Sequence, residues 1–301
     1  TKMLATNDYV RVIALDFSKA FDTVNHLTLF EKLLSYNLPD NIYNWLVDFF
    51  LHRSHVTRFN NLTSQPASIT SSVVQGSAIG PAAFIINASD LRPTTAGNDM
   101  VKFADDTYIL IPASNQLSSE AELRHVSSWA DHNNLKLNIS KSIEIIFRAR
   151  RSHPHLPPLL PGLPRATSIK MLGITISDDL CITEHISNIL GSCSQSLHGL
   201  RILRAHGLNE KHLHTVFTAV VVSKLRYSSS AWRGLLRASD TDRLEAFLRK
   251  SKRYGYCSPA SPSSTHYSYN LRPRRHSLKL TPRTALSSLN FITRMLFSDC
   301  Y

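Results

Sequence analysis

The sequence predicts an α+β unit, with antiparallel strands backed by helices, followed by a helical unit. Three observations carry that prediction. Short β-branched apolar runs alternate with amphipathic segments through about residue 180. Two of those runs flank the acidic pair Asp105-Asp106, a hairpin pattern with carboxylates at its tip. From Ile182 onward the chain keeps only leucine and valine at helical spacing. The expected division is 1–180 for the mixed unit, 181–256 for the helical unit and 257–301 for a basic, irregular tail. A chain of 301 residues has room for about two domains.

Each element has a local reason. Val10–Leu15 is a buried strand ending at Asp16, and Phe17 to Asn25 is a turn region. His26–Tyr36 carries Leu27, Leu29, Phe30, Leu33 and Leu34 at helical spacing, and Pro39 stops it. Asp40 can cap a second helix through about Leu51, with Ile42, Trp45, Leu46, Phe49 and Phe50 inward. Val56–Phe59 and Ala67–Val74 read as a strand pair joined across Asn60-Asn61. A Gly-rich turn at Gly76–Pro81 precedes an apolar helix from Ala82 to about Leu91.

Val101–Ile111 is the acidic-tipped hairpin. Ser118–Asn133 is a helix, and Leu135–Leu137 and Ile143–Phe147 are strands. The Pro-, His- and Arg-rich stretch from Arg148 to Arg165 reads as a linker or exposed loop, and Ile169–Ile176 as one more strand. Helices follow near 182–206, 209–228 and 239–254. The Ser-, Pro-, Tyr- and Arg-rich stretch Ser258–Arg275 is irregular.

Charge divides the chain as sharply as hydropathy does. The whole carries +12, yet residues 1–150 hold 13 basic and 14 acidic side chains, and residues 151–301 hold 21 and 8. A basic second half points to a polyanion such as nucleic acid or anionic lipid. The four cysteines, Cys181, Cys193, Cys257 and Cys300, form no C-x-x-C pair, which argues against a disulfide framework or zinc site. With no signal peptide and no apolar run long enough to span a bilayer, the expectation is an intracellular protein without a membrane partner. Nothing in the sequence sets an oligomeric state.

Three carboxylates carry the chemistry. Asp16 ends an apolar strand, and Asp105 and Asp106 tip an apolar hairpin. Desolvating unpaired carboxylates is costly, and divalent cations are the simplest compensation. Taken alone, Asp105-Asp106 is an ordinary turn dipeptide and Asp16 an ordinary strand-end residue. Phe21 alone reads as core packing, Gly76 and Gly80 as turn glycines, and the basic residues of 201–253 as solvated helix faces.

In combination, these segments resemble the reverse transcriptases of non-LTR, LINE-type and jockey-like retrotransposons. Leu15-Asp16-Phe17-Ser18-Lys19-Ala20-Phe21-Asp22-Thr23-Val24 is similar to the first palm motif, Gln75-Gly76-Ser77-Ala78-Ile79-Gly80-Pro81 to the second, and Phe103-Ala104-Asp105-Asp106 to the signature hairpin. Trp129 through Lys141 resembles the next motif, and Met171-Leu172-Gly173-Ile174 the primer-grip strand. Tyr269–Arg275 and Phe291–Phe297 resemble the end of such reading frames.

The resemblance implies a reverse-transcriptase palm followed by a helical thumb-like region. It implies an RNA-directed DNA polymerase that uses two Mg2+ ions, with Mn2+ the alternative, on an RNA template, a DNA primer or target and a dNTP. Asp16, Asp105, Asp106 and the carbonyl of Phe17 would hold the metal. Phe21 would reject a 2′-hydroxyl, and Gln75 and Gly76 would contact nucleotide and template. Lys141 would protonate pyrophosphate, while Leu172 and Gly173 would place the primer end. The family's fingers and endonuclease lie upstream of these motifs, and about fifteen residues precede Asp16, so a truncated copy is expected. A catalytically silent nucleic-acid-binding remnant is the alternative, and a two-metal nuclease a weaker one, because a nuclease needs no nucleotide-seating turn such as Gln75-Gly76.

Overall fold

The structure, a computed structural model, describes residues 2–74, 76–148 and 155–256. Gln75, 149–154 and the tail 257–301, including Cys257, Cys300 and the two C-terminal motifs, lie outside the described residues. The chain separates into two compact units: 1–169 with 177–180, and 170–176 with the residues from 181 on.

In the first unit, β1 (Tyr9–Leu15) is buried along almost its whole length. Next come β2 (Phe17–Ser18) and a single helical turn, α1 (Ala20–Thr23). Helix α2 (His26–Leu34) starts where the Asn25 side chain accepts from the Leu27 N–H at 2.8 Å. It buries Leu29, Phe30 and Leu33, while Leu27 and Leu34 face solvent.

Helix α3 (Asp40–Phe50) begins after Pro39, so Asp40 is its first residue and not its cap. Its inward stripe is Tyr43, Leu46, Val47 and Phe50. Ile42 and Trp45, expected inside, sit one position round the helix and are 43% and 54% exposed.

The expected strand pair is two small ladders. β3 (Arg53–His55) pairs with β6 (Ala67–Ile69), and β4 (Arg58–Phe59) pairs with β5 (Leu62–Thr63). Asn60 and Asn61, at φ 45° and 62°, make a two-residue turn, so Phe59 meets Leu62 and not Ala67.

Helix α4 (Gly80–Asn87) takes Pro81 in its first turn. Then follow β7 (Asp99–Phe103), β8 (Asp106–Pro112), helix α5 (Ser119–His132), β9 (Lys136–Leu137), β10 (Ile143–Arg148) and β11 (Arg165–Ala166). The main sheet runs β11-β10-β1-β8-β7, with β1 antiparallel to both neighbours. Ile13, Ile109 and Ile111 from the sheet join Leu29, Phe50, Phe84 and Val126 in one core.

The described part of the Pro-rich stretch, residues 155–165, is not a free linker. Leu160 and Leu163 pack into that core. A buried charge triad also ties the stretch to the sheet. Glu144 lies 3.4 Å from Arg11 and 2.7 Å from Arg165. The guanidinium of Arg11 donates to the Pro158 carbonyl at 2.7 Å, and that of Arg165 to the Pro157 carbonyl at 2.9 Å.

The expected single strand 169–176 is a hairpin of β12 (Ser168–Met171) and β13 (Ile174–Ser177). It turns on Leu172 and Gly173, at φ 46° and 85°. Two consecutive left-handed residues match the strand twist at a tight hairpin.

The second unit is helical: α6 (Thr183–Ala205), α7 (Glu210–Phe217), α8 (Ser223–Arg226), α9 (Ser229–Trp232) and α10 (Ala238–Arg253). The expected helix 209–228 is interrupted by a π-helical turn at Thr218–Val222. Ile186, Leu197, Phe217, Val221, Leu244 and Phe247 form its core. Cys181 and Cys193 are buried thiols, and burial pushes the Cys193 thiol up to about 11. Among the described residues, no helix is long and apolar enough to cross a membrane.

Candidate active site

The acidic site is set by strand register. Leu15 of β1 pairs with Thr107 of β8, so the next position aligns Asp16 with Asp106. Phe103 pairs with Asp106, which leaves Ala104-Asp105 as the two-residue tip. Ala104 sits at φ 52°, a left-handed conformation that costs an L residue about 1–2 kcal/mol.

The backbone of Asp16 is clamped from the other side. Its N–H donates to Ser142 Oγ at 3.1 Å, and its carbonyl accepts from the Asn138 N–H at 2.8 Å. Ser142 Oγ in turn donates to the Asn138 carbonyl at 2.8 Å. Lys141 belongs to this same turn through its N–H to the Asn138 carbonyl, 3.2 Å away, and its side chain is exposed.

The electrostatics report the gathering. Asp106 is exposed by surface area, yet partial desolvation, and then the negative charges of Asp105 and Asp16, hold its carboxyl above the usual aspartate range. Among the described residues, no group of three or more His, Cys, Asp or Glu side chains is arranged so as to hold a metal ion. By chemistry, though not by a ready-made arrangement, the donor set is of the kind a hard divalent cation takes. It consists of oxygen ligands whose mutual repulsion a positive charge relieves.

Two aromatic contacts involve residues that follow Asp16 along the chain. Phe17 is buried edge-on to Trp129, with ring centres 6.3 Å apart. Phe21 stacks on Phe84 of α4 at 4.7 Å. The N–H groups of Val73 and Ser72 donate to the carbonyls of Phe21 and Val24 at 2.7 and 2.8 Å. The segment leading to Gly76 therefore runs beside Phe21. Gly76 is exposed at φ 79°, and a Cβ there would meet nothing within 4 Å.

The start of α4 is held by Ser77, whose Oγ accepts from the Gly80 N–H at 3.0 Å and donates to the Val74 carbonyl at 2.7 Å. Two lysines secure its far end. Lys32 donates to the Asn87 carbonyl and pairs with Asp90 at 2.8 Å, and Lys102 donates to the carbonyls of Ala88 and Leu91.

Of the residues singled out in the sequence, Asp16, Asp105 and Asp106 come together, with Lys141 in the turn that holds Asp16. Phe21 meets the approach to Gly76. Gln75 lies outside the described residues. Leu172 and Gly173 belong to the second unit, where Tyr227 Oη donates to the Leu172 carbonyl at 3.0 Å. The Asn138–Ser142 clamp, Phe84 and Tyr227 were missed. Only the run of turn-forming polar residues after β9 hinted at the clamp.

A family profile described as "Reverse transcriptase (RNA-dependent DNA polymerase)" matches residues 2–176. Among curated proteins of Drosophila melanogaster, the probable RNA-directed DNA polymerase from transposon X-element is 24% identical over 82% of this chain and 28% of its own length. That from transposon BS is 26% identical over 82% of this chain and 29% of its own length. The RNA-directed DNA polymerase from mobile element jockey is 27% identical over 62% and 22%. The chain thus spans under a third of the length of these relatives. A solved telomerase from Candida tropicalis, in complex with a fragment of telomeric RNA, has a TM-score of 0.47 and 13% identity, covering 83% of this chain and 40% of that one.

Proposed function

The chain belongs to the reverse transcriptase (RNA-dependent DNA polymerase) family, on its non-LTR retrotransposon branch, and on that premise we propose that its first unit is a polymerase palm and its second a thumb-like region. The reaction is transfer of a deoxynucleotidyl group from a dNTP to a primer 3′-hydroxyl, copied from RNA. The 3′-oxygen forms a bond to the α-phosphorus, the bond to the β-phosphate oxygen breaks, and pyrophosphate leaves. Asp16, Asp105, Asp106 and the Phe17 carbonyl would hold two Mg2+ ions, or Mn2+. When bound, such ions activate the attacking hydroxyl and stabilise charge on the leaving oxygen.

The chain's own residues do the rest. The clamp on Asp16 fixes its carboxylate relative to the hairpin tip before substrate arrives. Phe21, braced by Phe84, forms a floor whose bulk excludes a 2′-hydroxyl. Gly76 lets nucleotide and template approach the backbone closely, with Gln75 beside it. Lys141 supplies a proton to the departing pyrophosphate. The Leu172-Gly173 turn, tied to Tyr227, positions the primer end. The basic second half holds backbone phosphates.

The observation that carries this reading is the convergence of three carboxylates on one end of β1 and β8, with Asp106 feeling the charge of both others. Primer extension on an RNA template tests it, comparing the chain with Asp105→Asn. Mg2+-dependent incorporation that Asp105→Asn abolishes is expected. Equal incorporation by both, or none by the unaltered chain, overturns it.

A further inference from the structure

A second charged cluster in the first unit lies where α2, the end of α4 and the last turn of α5 meet. At its centre is Lys32, whose side chain is 14% exposed. All three of its N–H groups are used. They go to the Asn87 carbonyl, to Asp90 Oδ1 at 2.8 Å and to Asn133 Oδ1 at 2.6 Å. Each of these bonds leads towards Trp129. Asp90 Oδ1 also accepts from Trp129 Nε1 at 3.1 Å, and Asn133 Nδ2 donates to the Trp129 carbonyl at 2.7 Å. The ammonium itself lies 5.1 Å from the centre of the indole ring, within reach of the attraction between a cation and a π face.

Trp129 in turn holds the strand end that carries Asp16. Its ring meets Phe17 edge-on, with centres 6.3 Å apart. The chain leaving α5 then grips the same stretch by its backbone. Asn134 Nδ2 donates to the Thr23 carbonyl at 2.7 Å, Leu137 of β9 pairs with Phe17, and the Asn138 N–H donates to the Asp16 carbonyl at 2.8 Å. The indole is thus fixed at its N–H by Asp90, at its face by Lys32 and against Phe17, a set of contacts that selects one rotamer. Anchoring a helix end does not require this arrangement. Lys102, from β7, secures the same end of α4 through the carbonyls of Ala88 and Leu91.

We propose that Lys32 and Asp90 are positioning residues for the metal ligands: by fixing the Trp129 ring they set Phe17, and with it the main chain that would present the Asp16 carboxylate and the Phe17 carbonyl to a divalent cation. The inference rests on the polymerase reading above, and its test reads metal binding apart from synthesis.

The test is Mn2+ binding to the full chain, followed by electron paramagnetic resonance, beside thermal unfolding of each variant. Asp105→Asn marks the acidic site and should remove its Mn2+. Lys32→Met should weaken that binding about tenfold, the low end of what the outer partners of metal ligands contribute. It should raise the Mg2+ concentration for half-maximal incorporation by the same factor. Lys102→Met should lower Tm as well, yet leave Mn2+ binding unchanged. Trp129→Leu should weaken Mn2+ as Lys32→Met does, and adding Lys32→Met to it should lower Tm further with no further loss of Mn2+. Should Lys32→Met fail to fold, Asp90→Ala takes its place. The Asp90 side chain is 52% exposed, and its loss takes a partner from both Lys32 and Trp129.

Equal losses of Mn2+ in Lys32→Met and Lys102→Met would reduce Lys32 to a helix anchor and overturn the proposal. So would independent, multiplying losses in the chain that combines Lys32→Met with Trp129→Leu. Lys32-dependent Mn2+ binding by a chain that incorporates nothing would leave the positioning role standing and remove the polymerase reading. Asp105-dependent synthesis with Mn2+ binding indifferent to Lys32 would do the reverse. A chain that binds no Mn2+ at its acidic site overturns both.

Discussion

Replacing Glu144 by Gln removes one charge from the centre of the sheet while keeping shape and an acceptor oxygen. Glu144 is 0% exposed and Arg11 is 3% exposed. With an effective dielectric of about 20, gaps of 3.4 and 2.7 Å correspond to gross attractions of about 5 and 6 kcal/mol. Repulsion between the two guanidinium groups and the desolvation of all three cancel much of this. Removing one partner of such a buried set costs about 3–5 kcal/mol, because Arg11 is left charged between its cross-strand partners Ile111 and Ile146. In a unit of this size that lowers Tm by about 10 °C. Urea unfolding followed by circular dichroism measures it. A lower midpoint with an unchanged slope is expected, and a loss below about 1 kcal/mol refutes the reasoning. Arg11→Met with Glu144→Leu should be more stable than Glu144→Leu alone.

The Asp106 carboxyl is raised by partial desolvation and by its two acidic neighbours, so its ionisation opposes folding. That penalty is absent below the ordinary aspartate pKa and grows as pH rises through the folded value. Asp106→Asn should therefore raise Tm at neutral pH without metal and leave it unchanged near about pH 3, and added Mg2+ should narrow the difference. A drop in Tm at neutral pH would contradict this. Gly173→Ala combines φ 85° with a Cβ 3.2 Å from the Tyr227 ring. It should cost about 1–2 kcal/mol by thermal unfolding, and a neutral effect would show that the turn is not held as described. Phe21→Ala loses the stack on Phe84, at about 2 kcal/mol, and should increase ribonucleotide relative to deoxynucleotide incorporation. An unchanged ratio removes the steric role.

Strong periodic patterns made β1, the acidic hairpin, α5, β10, α6 and α10 legible from residues alone. Short runs were harder. Ile169–Ile176 is β-prone on both sides of Gly173, and although that glycine is a local break signal, Leu172, a poor left-handed residue, gives no sign that it will share the turn. The Pro-rich stretch has loop composition. Its anchors, Arg11 and Glu144, lie far from it in sequence and are visible only once β1 and β10 pair. In α3 the apolar residues wrap too far round for spacing to pick the inward stripe. The grouping of Asp16 with Asp105-Asp106 followed from the family resemblance of the segments that carry them, since strand ends and turns alone read as ordinary positions. The clamp on Asp16 did not, since it works through main-chain N–H and carbonyl groups that any residue possesses.

Because β1 is hydrogen-bonded on both edges, its length acts as a ruler. Adding or deleting one amino acid between Tyr9 and Leu15 would keep the strand greasy and paired, yet swing the carboxylate at its end to the opposite side of the sheet. Spelling errors in this stretch are survivable, whereas miscounts are not. A lengthening of the solvent-facing Asn60-Asn61 turn disturbs no comparable measure.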